Sequence, residues 1–90
     1  MQSNDIARTV MGTDGVLALA GGRSKGIRIA NSEKGLHIDI HVILKFGVRI
    51  PETAWQLQQR VKEAIAVPGE GSDGAEIEKI NIHIRGIRAV

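Results

Sequence analysis

No cysteine and no tyrosine occur in these 90 residues, and the aromatic complement is Phe46 and Trp55 alone. Without cysteine there is no disulfide, no thiolate metal site and no cysteine nucleophile. Two rings offer almost no stacking platform for single-stranded nucleic acid, which is read largely by bases laid on exposed aromatics. An excess of one charge is missing too. The 12 Lys and Arg against 10 Asp and Glu leave a formal +2, whereas dedicated nucleic-acid binders concentrate many more cations on one face. Long apolar runs are absent. The longest is Val16–Ala20, far short of the ~20 residues of a membrane-spanning helix, and nothing has the form of a signal peptide. The expectation is a single cytoplasmic domain, residues 1–90, that meets a membrane only where a partner carries it. A chain this short buries roughly 60% of its unfolded surface, so its core must be economical.

The strongest pattern present lies in residues 36–46. Leu36, Ile38, Ile40, Val42, Leu44 and Phe46 point one way, and His37, Asp39, His41, Ile43 and Lys45 the other. This period of two predicts a strand with one core face and one wet face, Ile43 being the exception on the wet side. Ile27 and Ile29 alternate with Arg28, and the turn signal NSEKG joins the two runs as a hairpin. Residues 78–87 alternate again, with Ile80, Ile82 and Ile84 inward and Asn81, His83 and Arg85 outward. Residues 4–12 read as a short helix with Ile6, Ala7 and Val10 on one face. Pro51 opens a second helix, in which Ala54, Leu57, Gln58, Val61, Ala64 and Ile65 form the packing stripe and Trp55 lies at its edge. GVLALAGG (15–22) is a helical turn or a buried extended piece; periodicity does not decide. PGEGSDG (68–74) reads as a polar loop. The order α-β-β-α-β predicts an α+β two-layer sandwich: a small, mostly antiparallel sheet with helices packed on one face.

HIDIH, residues 37–41, invites a metal reading, but strand geometry opposes it. Four residues at about 3.3 Å each separate His37 from His41 by roughly 13 Å, while a zinc–nitrogen bond spans only about 2.0–2.1 Å. Asp39 with either histidine, completed by His83, would supply three ligands in a register the sequence does not reveal. The simpler reading is a polar row formed by His37, Asp39, His41, Asn81, His83 and Arg85 on the outer sheet face. That row is either a contact surface or a solvated one, and imidazoles in it would gain charge as pH falls through about 6.5. Trp55 is either a binding hot spot or the lid of a small core.

GGRSKG (21–26) lacks the G-x-x-x-x-G-K-[ST] spacing of a P-loop and precedes a strand rather than a helix. Backbone N–H groups with Arg23 or Lys25 could hold an anion there; a plain flexible turn is the simpler account. Glu70, Asp73 and Glu76 lack calcium-loop spacing, and the serines fall at expected caps and turns. No catalytic set, metal site or cofactor site is expected.

The order of motifs from residue 36 onward is specific. An alternating strand ends in Phe46-Gly47, and Ile50-Pro51-Glu52, Ala54-Trp55, Gln58 and Val61 follow. The last strand reads Ile80-Asn81-Ile82-His83-Ile84, then Gly86-Ile87, and Ile6-Ala7 and Gly15-Val16 lie upstream. This resembles the alkaline shock protein family, the Gls-type general and cell-envelope stress proteins of Gram-positive bacteria. Arg49 departs from the asparagine often found there, Leu57 replaces the valine before Gln58, and the 68–76 loop is longer than usual. The resemblance implies a non-enzymatic, envelope-associated stress protein that self-associates and is held at the cytoplasmic face of the membrane by a membrane-anchored partner. The α-β-β-α-β order also resembles part of a type II KH domain. That makes nucleic-acid binding through Arg23, Lys25, Arg28 and Lys34 the alternative.

Overall fold

A computed structural model describes residues 3–65 and 77–89 of the chain. The loop expected at 68–74, with its acids, lies outside the described residues. The elements are α1 (Ser3–Met11), β1 (Val16–Leu19), α2 (Gly22–Lys25), β2 (Ile27–Ser32), β3 (Gly35–Lys45), α3 (Ile50–Ile65) and β4 (Ile77–Arg88). The α+β class with helices on one sheet face agrees with the expectation. Two elements are additional. The undecided stretch after Gly15 is strand β1, and the GGRSKG turn contains the single helical turn α2.

β3 is the spine of the sheet. β2 pairs with its first half and β1 with its second, both antiparallel. His41 marks where they meet: its N–H donates to the carbonyl of Gly26, and its carbonyl accepts from Ala20. The N–H and C=O of one strand residue point to the same edge, so β1 and β2 lie end to end along one side of β3, interrupted by α2. β4 runs along the other side, parallel to β3. Parallel neighbours need a crossover, and α3 supplies it. The mostly antiparallel sheet therefore contains one parallel pairing, the most extensive of the three.

The alternation in β3 sorts its side chains as the sequence pattern requires. Ile38, Ile40, Val42 and Leu44 are fully buried, together with Ile6 and Val10 from α1 and Leu57 and Val61 from α3. Burying each such side chain contributes roughly 1.5–3 kcal/mol, so these residues carry much of the stability of a small domain. Thr53 also faces inward, unlike the predicted stripe; its Oγ1 donates to the carbonyl of Arg49 at 2.9 Å, which satisfies the buried hydroxyl. Gln58 belongs to the packing face through polarity: its Nε2 donates to the carbonyl of Ile80 at 3.0 Å and ties α3 to β4. Phe46 is a correction. It is 78% exposed, because β3 ends at Lys45 and Gly47, at φ 96°, turns the chain away.

The break between β1 and β2 rests on Gly26. A Cβ there would lie 2.7 Å from the carbonyl oxygen of Gly22 and 2.9 Å from the Leu19 Cβ. Gly86, beside the bulge in β4, has open space around it. Gly26→Ala is expected to lower unfolding stability by about 1–3 kcal/mol. Gly86→Ala should leave it unchanged or raise it by about 0.4–1 kcal/mol through the unfolded chain. Urea denaturation of the two variants checks the contrast; equal midpoints would contradict it.

Candidate functional site: the uncovered sheet face

The helices cover one face of the sheet, and the polar row occupies the other. The register sets Asp39 opposite Asn81 and His41 opposite His83. Asp39 Oδ1 accepts two hydrogen bonds, from Asn81 Nδ2 at 3.1 Å and from His83 Nε2 at 3.0 Å. The His83 bond, then the Asn81 bond, hold the Asp39 carboxyl below its ordinary pKa, against the opposing effect of partial burial. The His41 and His83 rings stack with centroids 4.4 Å apart and planes 13° from parallel. His37 stands apart from this group and donates through Nε2 to Glu78 Oε2 at 2.6 Å. Glu78 also accepts from the Ser32 hydroxyl at 2.8 Å, and the Ser32 and His37 bonds lower its pKa.

The sequence reading missed Ser32 and Glu78. The signal for them was available in part: the turn serine ends β2, and Glu78 precedes the alternating run of β4. The register of β4 against β3 was needed to join them. Their arrangement is not that of a nucleophilic triad. The carboxylate stands between the hydroxyl and the imidazole, so His37 does not face the serine proton, as a general base must. Among the described residues, no three His, Asp or Glu side chains gather into a group able to hold a metal ion.

Arg85 occupies the extra position where the β3–β4 register shifts, between the pairs Val42–Ile84 and Ile43–Gly86. With Lys25, His41, Ala20 and Gly21 it lines an open notch of about 320 Å³. Trp55 does not join the row. It is 61% exposed on α3, in the helical layer, beside Gln56, Gln59, Arg60 and Glu63. The basic set of the alternative reading is spread along one edge. Lys25 ends α2, Arg28 lies on β2 opposite Asp39, and Lys34 belongs to the hairpin turn, more than ~13 Å from Arg28 at strand spacing. The side chain of Arg23 lies outside the described part of the structure.

Comparison with known proteins decides the family. The model of the alkaline shock protein 23 family, described as having cell envelope-related function, matches residues 6–89. This chain belongs to that alkaline shock protein family. It is 28% identical over 65 residues to the uncharacterized protein YloU of Bacillus subtilis, covering 72% of this chain and 51% of YloU. It is 31% identical over 64 residues to the uncharacterized protein YqhY of the same organism, covering 71% and 44%. The uncharacterized protein Spy1535 of Streptococcus pyogenes is 35% identical over 66 residues, covering 72% and 48%. The matched region thus spans about half the length of these curated relatives. No solved structure matches the chain. No helix among the described residues is long and apolar enough to cross a membrane.

His41 gives this alkaline shock protein domain a pH response. Its pKa is lowered, first by partial removal from water, then by the charges of His83, Arg85 and Arg28, with Asp39 opposing. The unfolded chain therefore takes up this proton first, at about pH 6.5. The stability contribution is present above that pH and is lost as pH falls through the lowered folded value. Asp39 and Glu78, being lowered from the ordinary carboxylate range, lose theirs only in stronger acid. Thermal unfolding should show stability falling between about pH 7.5 and pH 5.5, with a shallower slope in His41→Gln. An unchanged slope in that variant would contradict the assignment.

Proposed function

We propose that this domain is a non-enzymatic interaction or scaffold module of the cell envelope. It associates with itself and docks a protein partner through the uncovered sheet face and the outer edge of β4. It works in the cytoplasm and reaches the membrane periphery through a membrane-anchored partner. The observation that carries this reading is the one-sided layering. Both long helices pack on one face, and among the described residues no strand pairs the outer edge of the 12-residue β4. Such an edge is a template for another strand. Gln58 already holds the carbonyl of Ile80 from α3, which blocks one end of the edge and leaves the later residues for pairing.

The chemistry of the face favours contact over catalysis. Its carboxylates are held by imidazoles, an amide and a serine hydroxyl rather than aimed at a reacting group. The partly buried row supplies fixed donors and acceptors, which give register and selectivity to a protein contact more than raw affinity. The envelope-related description of the family supports the location.

Sedimentation across a concentration series tests the proposal. The average mass should rise above the 9.7 kDa of one chain, and His37→Ala and His83→Ala should weaken the association. A strict monomer at tens of micromolar, with both variants silent in partner binding, would overturn it.

A further inference from the structure

The notch where β1 gives way to β2 has a chemistry that protein–protein contact does not require. Three elements bring a cationic or protonatable group to it: Lys25 from α2, His41 from β3 and Arg85 from the bulge in β4. Arg28 of β2 adds a further positive charge close enough to depress protonation of His41. Asp39, the carboxylate that opposes this effect on His41, is occupied by His83 and Asn81. Among the described residues the ion pairs are His37–Glu78, Arg49–Glu52 and His83–Asp39, so Lys25, Arg28 and Arg85 take part in none. His41 makes no side-chain hydrogen bond among the described residues and only stacks on His83. Among the described residues the notch thus combines positive charge outside any ion pair, an imidazole with spare hydrogen-bonding capacity and an open volume of about 320 Å³.

We propose that this notch is an anion site for a terminal phosphate monoester. A monoester carries close to two negative charges and three acceptor oxygens near neutral pH. Three donors converging from α2, β3 and β4 match that distribution better than they match the single charge of a phosphodiester. Arg85 offers a planar fork, Lys25 a point charge, and His41 a ring nitrogen whose protonation the bound dianion favours. The α2 excursion and the β4 bulge both have a role on this account: one delivers Lys25, the other turns Arg85 toward the same opening. The group has two possible carriers, a free phosphate compound or a lipid headgroup of the phosphatidic acid type.

Histidine-ring NMR of the full chain, titrated with inorganic phosphate against chloride at constant ionic strength, tests the site. Phosphate should shift the His41 signals and raise the His41 pKa. Lys25→Ala and Arg85→Ala should each weaken binding about tenfold, and Lys34→Ala at the hairpin turn should leave it unchanged. Flotation with phosphatidylcholine vesicles containing either phosphatidic acid or phosphatidylglycerol separates the sources. Selective binding to phosphatidic acid, relieved by inorganic phosphate, supports the site with a lipid as carrier. A phosphate response without vesicle binding supports it with a free phosphate compound. Absence of any His41 response, an equal loss in Lys34→Ala, or equal binding to both anionic lipids would overturn the proposal. Because sedimentation reads self-association separately, failure here leaves the scaffold reading distinguishable.

Discussion

The parallel docking of β4 on β3, in one register, is the constraint on which the rest of the structure depends. β3 can show a polar row only because its other row is buried among Ile6, Val10, Leu57 and Val61. That burial fixes which face is wet, since a slip of one residue would exchange the two sets. β4 then turns the row into a network. The same register that carries Ile80 into the core sets Asn81 and His83 against Asp39 and His41. The crossover through α3 makes this possible and is itself held to β4 by the bond from Gln58 to Ile80.

The resulting face has two electrostatic regions. Toward the hairpin, Glu78 gathers the Ser32 hydroxyl and the His37 ring. Toward the break in the opposite edge, Asp39 is taken up by Asn81 and His83 and leaves His41 among Arg28, Arg85 and Lys25. One region is nearly self-satisfied and the other holds an excess of positive charge. On the proposals made above, the first region would meet protein and the second an anion, in a family with an envelope-related function.

Much of this fold was legible in the sequence because period-two alternation is a strong signal where one sheet face is buried. It marked β3 and β4 and assigned His37, Asp39, His41, Asn81 and His83 to one face. The limits came where geometry depends on partners distant in the chain. β1 is too short for its period to show, and α2 is one turn without an apolar face. Phe46 continued the alternation on paper, yet the strand ended one residue earlier. The parallel direction of β4 was not among the expectations, although the strand–helix–strand order is compatible with a helical crossover between parallel neighbours. The Glu78–His37 pair and the arrival of Arg85 beside Lys25 depend on register and on a bulge, which residue pattern alone does not reveal. Trp55, which the sequence left as a hot spot or a lid at the edge of the helix stripe, is exposed in the helical layer, away from the polar row.

The polar face exists only if β4 lies parallel to β3 with His83 against His41 and Asp39. Through-space NMR contacts between assigned histidine ring protons test it most directly. Ring-to-ring cross-peaks are expected between His41 and His83, and none between His37 and His83. Cross-peaks from His83 to His37 in place of those to His41 would mean a different register, and the polar face as described would not exist.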